Sequence, residues 1–237
     1  MEIKAVLFDL WHTLTFHDKE GVKETEGAII QYLQSFNPEV LVEEYCALRK
    51  KYHNDITTGR LSLSESNKRV LEELNVPHNA EDKLTELIET SIRSNMRVYE
   101  GVDVLLTRLR DLGLKLGLVT NCGVGTMDLL REVGLDVFDS YAFSNEIGVR
   151  KPDSGIYLKV SEELRVDSSE CVFVSDEIYE DLVGAKRLGM KTIHVRRKER
   201  DGSIFEVDPD ERIFEPDASV DKVADVYKVI KEWLNGS

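Results

Sequence analysis

Ile3–Leu10 reads IKAVLFDL, a nearly unbroken apolar stretch that carries one acidic side chain, Asp9, near its end. Such a stretch is typical of a parallel strand that is buried on both faces, because neither face has to alternate with polar residues. Three later stretches have the same apolar character: Leu114–Val119, Cys171–Val174 and Thr192–Val195. We predict that all four are strands of one sheet.

Helical patterns lie between these predicted strands. The apolar residues of Val102–Leu112 recur at helical spacing and Gly113 closes the pattern, while a second helix is expected to stop near Gly189. Alternating strands and helices indicate βαβ units with right-handed crossovers. The predicted fold class is therefore α/β, a doubly wound and mostly parallel sheet with helices on both faces.

Polar side chains follow three of the predicted strands at the point where each strand ends. They are Asp9, then Thr120 and Asn121, then Ser175 and Asp176. In an open parallel sheet, ligands bind beyond the carboxyl ends of the strands. One strand must end in something polar, but three that end in an acid, a hydroxyl with an amide, and an acid indicate a binding site at this edge.

Residues 15–97 differ from the rest of the chain, because they show no strand pattern and their apolar residues recur at helical spacing. Asn37-Pro38 and Val76-Pro77 mark breaks between helices, and a serine at position 62, 64 or 66 is suited to cap one of them. We predict a four-helix-like cap domain over residues 15–97 and an α/β core over residues 1–14 and 98–237.

Two segments follow the last predicted core strand. Arg197–Pro216 is polar and acidic and contains the turn signal Asp201-Gly202, which indicates a hairpin or loop. Val220–Leu234 is amphipathic and is predicted to be a helix that packs on the core.

Composition limits the partners of the protein. The 237 residues carry a formal net charge of −14, whereas a nucleic-acid binder needs a basic field. No apolar run approaches the roughly 18 residues that cross a bilayer, so we expect no membrane partner. The three cysteines form no CxxC pair, and the first residues lack the basic leader and cleavage site of a secretory signal. We expect a cytoplasmic protein; its oligomeric state cannot be read from the sequence.

Four short segments occur in order along the chain. They are Phe8–Leu14 (FDLWHTL), Leu118–Asn121 (LVTN), Arg150–Asp153 (RKPD) and Val174–Ala185 (VSDEIYEDLVGA). Together they resemble the four motifs of the haloacid dehalogenase (HAD) superfamily. The resemblance covers residues 1–14 and about 98–195, and the helical insertion follows the first motif, as the family's helical cap does. It implies a Rossmann-like hydrolase core.

The resemblance also implies roles for four side chains. Asp9 matches the nucleophile, and Lys151 matches the lysine that bridges nucleophile and phosphate. Thr120 matches the hydroxyl that holds a phosphoryl oxygen, with the backbone or amide of Asn121 beside it. A carboxylate is a weak nucleophile, but it can attack phosphorus when a metal ion neutralises and positions the phosphate.

Magnesium is the cofactor that the resemblance implies. Asp176 matches the carboxylate that binds the ion, and Asp181 matches the second acid that supports the ion or its waters. Since Mg²⁺ takes only one or two carboxylates besides waters and substrate oxygens, Asp9 and the backbone carbonyl of Trp11 complete the expected ligands.

The chain departs from the family pattern at Trp11. The family's phosphatases have an aspartate there, which protonates the leaving oxygen and later activates water. An indole does not exchange a proton near neutral pH, and the loss of such a group costs on the order of 10²–10⁴ in rate. His12, which stands where the family usually has glycine, has a suitable pKa to substitute, although neighbouring side chains on an extended strand point to opposite faces. His17 is a weaker candidate.

Three functions therefore stay open. The favoured one is a magnesium-dependent phosphatase or phosphoryl transferase that acts on a small phosphorylated substrate through an aspartyl-phosphate on Asp9. A 2-haloacid dehalogenase is an alternative, because that class has an aromatic residue at the position of Trp11; however, Asp176 and Asp181 would repel an anionic haloacid unless a cation lay among them. The third is a catalytically impaired binding protein with the same fold.

Overall fold

The computed structural model of the protein describes residues 2–197 and 214–236. Its strands are, in chain order, β1 (Ala5–Phe8), β2 (Thr15–His17), β3 (Met96–Val98), β4 (Lys115–Thr120), β5 (Ser140–Phe143), β6 (Cys171–Ser175), β7 (Lys191–Val195) and β8 (Ala218–Val220). Six of them form one sheet in the order β5-β4-β1-β6-β7-β8, and every neighbouring pair in it is parallel. The predicted parallel sheet is confirmed.

Some of the helices cover this sheet, and the others make up the segment inserted after β1. They are α1 (Lys19–Gln34), α2 (Val42–Thr57), α3 (Leu63–Glu73), α4 (Glu81–Asn95), α5 (Val102–Asp111), α6 (Thr126–Glu132), α7 (Ser144–Ile147), α8 (Ser154–Leu164), α9 (Val183–Arg187) and α10 (Val226–Asn235). The predicted helix at residues 102–112 is α5, and Gly113 has the left-handed φ of 78° that ends a helix without steric cost.

Both faces of the sheet are buried, as the apolar composition of the strands requires. On β1, Val6 and Phe8 join the cluster that includes α5 and α10, whereas Ala5 and Leu7 join the cluster that includes α8 and α9. Successive side chains of a strand point to opposite faces, so an unbroken apolar strand supplies two cores at once.

The insertion has an apolar core of its own. Its buried members lie between Ile29 and Ile88 and come from α1 to α4 and their connections. The predicted breaks at Asn37-Pro38 and Val76-Pro77 fall between α1 and α2 and between α3 and α4. Of the three candidate serines, Ser62 caps α3: its hydroxyl accepts from the Glu65 N–H, and the Glu65 carboxylate accepts in return from the Ser62 N–H.

The prediction that residues 15–97 contain no strand is wrong at both ends, because β2 covers Thr15–His17 and β3 begins at Met96. β2 begins at Thr15 and pairs antiparallel with β3, with Thr15 opposite Val98 and His17 opposite Met96. Three residues are too few to show the alternation by which a strand is recognised. The two chain crossings between core and insertion therefore lie side by side.

The C-terminal predictions hold in part. The predicted helix over Val220–Leu234 is shorter, since β8 occupies 218–220 and α10 begins at Val226. The hairpin or loop predicted for Arg197–Pro216 lies largely outside the described residues. Within the described residues, no helix is both long and apolar enough to cross a membrane.

Candidate active site

Asp9 lies at the carboxyl end of β1, the strand with β4 on one side and β6 on the other. Its side chain is buried, and its backbone N–H donates to the Val174 carbonyl at 3.0 Å. One carboxylate oxygen, Oδ1, lies 2.6 Å from Lys151 Nζ, and the other accepts from the Thr13 hydroxyl at 2.9 Å. Residues that are distant in sequence thus meet on both oxygens of one carboxylate, at the predicted edge of the sheet.

Lys151 places its ammonium group between two carboxylates. Nζ lies 2.6 Å from Asp9 Oδ1 and 2.7 Å from Asp181 Oδ2, and the side chain is only 2% exposed. Burial by itself lowers the pKa of this lysine, but the charges of Asp181 and Asp9 outweigh it and raise the pKa above its ordinary value. Lys151 is therefore positively charged at every physiological pH.

Thr13 links Asp9 to the fourth motif. Its hydroxyl lies 2.9 Å from Asp9 Oδ2 and 3.1 Å from Asp176 Oδ1, and it accepts from the Asp176 N–H at 3.0 Å. A hydroxyl has one proton, so it donates to only one of the two carboxylates at a time. Burial and then the charge of Asp176 raise the pKa of Asp9, against the lowering effect of Lys151.

The donor set fits a magnesium ion. Within residues 2–197 and 214–236, no group of three or more His, Cys, Asp and Glu side chains is arranged to hold a metal ion. Magnesium needs fewer protein ligands than that, because it keeps waters and takes substrate oxygens. Asp9 and Asp176 both reach the Thr13 hydroxyl, so one cation can lie within reach of both carboxylates. Asp9 and Asp181 share the ammonium group of Lys151 at 2.6 and 2.7 Å, and Thr13 places the buried carboxylate of Asp176 beside Asp9.

The carboxylate of Asp181 accepts hydrogen bonds from Lys151 and Ser175. The Ser175 hydroxyl donates to Asp181 Oδ2 at 2.5 Å, beside Lys151 Nζ. Asp181 lies in a π-helical turn, Ile178–Leu182, and the Tyr157 hydroxyl donates to its carbonyl at 2.8 Å. Burial raises the pKa of Asp181, while Lys151 lowers it.

Thr120 and Asn121 extend β4 towards the same place. The Thr120 hydroxyl is completely buried and has no hydrogen-bond partner among the described residues. The amide of Asn121 is used by the backbone of Lys151: Oδ1 accepts from its N–H at 2.9 Å, and Nδ2 donates to its carbonyl at 3.3 Å. Thr120 thus offers an unused donor, whereas the Asn121 side chain holds the loop that carries Lys151.

Trp11 and His12 lie in a turn and not on a strand. β1 ends at Phe8, and residue 12 has a φ of 60°, in the left-handed region. The expectation that Trp11 and His12 lie on an extended strand is therefore wrong. A left-handed residue explains why glycine suits this position. The Trp11 ring stacks on His17 at 4.8 Å between ring centres, and the His12 ring lies edge-on to His17 at 6.4 Å.

Three residues at the site were not predicted to be there, Thr13, Tyr157 and Arg197, and Ser175 was placed at this edge of the sheet without a role. Thr13 and Ser175 stand inside the quoted motifs, four residues after Asp9 and one before Asp176, so their positions could have suggested a role. Tyr157 and Arg197 carry no such signal, because they reach the site only through the packing of α8 and the direction of β7.

Comparison with known proteins assigns the family. A model described as haloacid dehalogenase-like hydrolase matches residues 3–189. The chain belongs to the haloacid dehalogenase-like hydrolase family. This hydrolase is 28% identical over 243 residues to a glyceraldehyde 3-phosphate phosphatase of Methanopyrus kandleri, and the match covers 97% of the chain and 98% of the relative. It is 30% identical over 202 residues to a protein of the same name from Pyrococcus abyssi, with 81% and 80% covered.

Solved structures of the family share the fold. A HAD phosphatase from Thermococcus onnurineus matches with a TM-score of 0.67 at 24% identity, covering 96% of this chain and 98% of that one. A 2-haloacid dehalogenase from Pseudomonas syringae matches with a TM-score of 0.70, also at 24% identity, covering 98% and 99%. Since one fold serves both chemistries, the fold alone does not choose between them.

Proposed function

We propose that this hydrolase is a magnesium-dependent phosphatase that acts on a small phosphorylated substrate through an aspartyl-phosphate on Asp9. The observation that carries the proposal is the 2.6 Å contact between Asp9 Oδ1 and Lys151 Nζ in a buried site. A buried ammonium beside a carboxylate offsets the charge that gathers when that carboxylate attacks a phosphate. The names of the two relatives support the same reaction class.

In the proposed first step, a carboxylate oxygen of Asp9 attacks phosphorus, and the bond to the leaving oxygen breaks with its electron pair on that oxygen. Lys151 stabilises the negative charge of the transferring group. The Thr120 hydroxyl, which lacks a partner among the described residues, donates to a phosphoryl oxygen, and the backbone of Asn121 lies beside it. In the second step water attacks phosphorus, which releases inorganic phosphate and restores Asp9.

Asp9, Asp176 and the backbone carbonyl of Trp11 would hold Mg²⁺, with Asp181 as a second acid that supports the ion or its waters. When bound, the ion neutralises phosphate charge and polarises the phosphoryl oxygens. Thr13 keeps the two carboxylates together. Asp181 has a second role in this proposal, since its contact at 2.7 Å holds Lys151 towards Asp9.

The leaving group sets the substrate preference. Trp11 cannot supply the proton that an alkoxide needs, so we propose faster turnover of aryl phosphates, acyl phosphates and anhydrides than of alkyl esters such as a triose phosphate.

His12 is the proposed substitute for the missing acid and base. A His12→Gln variant should lower alkyl-ester turnover more than aryl-phosphate turnover, and equal losses on both substrates would remove His12 from this role.

Residues 15–97 are the proposed cap domain, which closes over the site and selects the substrate. The separate apolar core of α1 to α4 supports this division of the chain.

The proposed location is the cytoplasm, and three free cysteines suit a reducing compartment.

An assay with an aryl phosphate tests the proposal. We expect phosphate release with Mg²⁺, loss of release with EDTA, and loss after Asp9→Asn. Asp111→Asn is the matched control, because Asp111 is an exposed aspartate at the end of α5. Equal activity in all four samples would overturn the proposal.

Two further outcomes separate the alternatives. Release of halide from 2-chloropropionate without a metal would favour a dehalogenase. Binding of Mg²⁺ and fluoroberyllate without phosphate release from any substrate would favour the impaired binding protein.

A further inference from the structure

We propose that Arg197 is a positioning residue that fixes the turn after the nucleophile. The turn comprises residues 11–14. Arg197 follows β7 by two residues, and its guanidinium group donates through Nε to the His12 carbonyl at 2.6 Å and through Nη2 to the Thr13 carbonyl at 3.0 Å. The side chain is partly buried.

The turn needs such support because its backbone is strained. His12 has a φ of 60°, in the left-handed region that is strained for a residue other than glycine. The next residue, Thr13, must still place its hydroxyl between Asp9 and Asp176. A group that binds both carbonyls of residues 12 and 13 holds this conformation in place.

The two hydrogen bonds to the carbonyls of residues 12 and 13 depend on the planar guanidinium group of arginine. Two N–H groups in a rigid fork can bind two adjacent carbonyls together, whereas the ammonium of a lysine is a point charge on a flexible stem. The guanidinium carbon Cζ lies over the ring of Tyr99, 3.8 Å from its centre. Tyr99 follows β3 and donates through its N–H to the Leu14 carbonyl at 3.0 Å. Arg197 thus joins the end of β7, the turn and the second chain crossing into the insertion.

Trp11 provides a direct readout of the turn. The chain has two tryptophans, Trp11 and Trp233, so Trp233→Phe leaves Trp11 as the sole indole emitter. In that background we compare Arg197, Arg197→Lys and Arg197→Gln. The control is Arg196→Gln, since Arg196 is the neighbouring arginine and forms an exposed ion pair with Asp221 at 2.8 Å.

We expect both Arg197 variants to shift Trp11 emission to the red and to increase its quenching by acrylamide, because the turn loosens. With an aryl phosphate, kcat should fall about 10- to 100-fold, while KM changes little. The Mg²⁺ concentration for half-maximal binding, measured by calorimetry without substrate, should rise. Arg196→Gln should match the parent in every measurement.

The inference is overturned if Arg197→Lys reproduces the parent emission, Mg²⁺ binding and kcat. It is also overturned if both Arg197 variants have a lower melting temperature but keep the parent values of emission, Mg²⁺ binding and kcat at temperatures below it. The kcat and Mg²⁺ comparisons rest on the proposed magnesium-dependent phosphatase function, but the emission measurement does not. A parent enzyme that releases no phosphate would therefore count against the proposed function, and the emission would still decide the role of Arg197.

Discussion

At the scale of single residues, the stability of the site depends on the charge of Lys151. Its ammonium group lies between Asp9 and Asp181, 2.6 and 2.7 Å from the nearest carboxylate oxygens. All three side chains are almost completely buried. Removing one partner from a buried ion pair leaves an unpaired buried charge, which costs more than the pair contributed.

Lys151→Met should therefore lower the free energy of unfolding at pH 7 by about 3–5 kcal/mol. Urea denaturation measures this loss. The double variant Lys151→Met/Asp181→Asn should recover part of it, because it removes one of the two carboxylates left without a counterion. A double variant that is no more stable than Lys151→Met would contradict this account of the charges.

The pH dependence of Lys151→Met has a definite sign. Burial already raises the pKa values of Asp9 and Asp181 above the ordinary 3.8, and Lys151 opposes that rise. Without the lysine both pKa values rise further, so the folded variant binds more protons than the unfolded chain between pH 3.8 and the raised values. Its stability then falls as the pH rises through this window, and the deficit should be smaller at pH 5 than at pH 7. A larger deficit at pH 5 would refute the assignment.

Single residues also show which parts of the site could be predicted from the sequence. The polar ends of β1 and β6 were enough to predict that Asp9 and Asp176 meet at one edge of the sheet, whereas Lys151 was assigned to the site only by the resemblance to the HAD motifs. The structure brings the three together through Lys151 and Thr13. Arg197 was assigned only to a polar segment, since nothing local in the sequence reveals that its side chain turns back to residues 12 and 13. The left-handed φ of His12 had one signal, the glycine that the family usually has at this position, because glycine adopts that conformation without steric cost.

At the scale of elements, the π-helical turn Ile178–Leu182 aims Asp181 at Lys151. The Tyr157 hydroxyl of α8 holds the carbonyls of Glu180 and Asp181 at 3.2 and 2.8 Å. Gly184, at the start of α9, permits this approach. A Cβ atom there would lie 2.6 Å from the Tyr157 hydroxyl and 2.9 Å from the Pro152 carbonyl oxygen.

Gly184→Ala should destabilise the protein by about 1–3 kcal/mol through this overpacking. It should also lower kcat by about tenfold, because the turn that carries Asp181 shifts. Gly27→Ala is the matched control: Gly27 lies on the exposed side of α1 with nothing within 4 Å of the added Cβ, so alanine should stabilise the helix by about 0.5–1 kcal/mol. Thermal melts and initial rates measure both variants, and unchanged stability and kcat in Gly184→Ala would show that the turn tolerates the added methyl group.

The elements that the sequence predicted are the long and regular ones. β1, β4, β6 and β7 were recognisable from their apolar composition, and α5 from its helical spacing. β2, β3 and β8 have three residues each, and β5 reads SYAF, so none of them presents enough residues to reveal a period. These strands form because neighbouring strands offer their backbone groups, which is a tertiary effect that local patterns do not contain.

At the scale of the whole molecule, the C-terminal end of α2 meets the core beside the site. The Ser144 hydroxyl donates to the Thr57 carbonyl, and Arg150, the neighbour of Lys151, donates to the Asn54 side chain. Gly59 follows α2 with a φ of 67°, and a Cβ atom there would clash with the carbonyl oxygen of Asn145. This seam, residues 54–59 against Ser144, Asn145 and Arg150, sets how closely the proposed cap approaches the core.

Gly59→Ala should widen the seam and weaken substrate binding, so that KM rises about three- to tenfold while kcat changes less. Gly189→Ala is the control, since Gly189 has a similar φ of 79° but no described atom within 4 Å of an added Cβ. Both variants should lose about 1 kcal/mol from backbone strain, and only Gly59→Ala should change KM. Equal KM values in the two variants would show that the seam does not affect substrate binding.

In the proposed phosphatase mechanism Asp9 carries the phosphoryl group during turnover. Rapid acid quenching of the Mg²⁺-loaded enzyme with an aryl phosphate, followed by mass mapping of its peptides, detects this intermediate. We expect one phosphoryl group on the peptide that contains Asp9, present during turnover and absent in Asp9→Asn. Steady phosphate release with that peptide unmodified, or with the phosphoryl group on another residue, would contradict it.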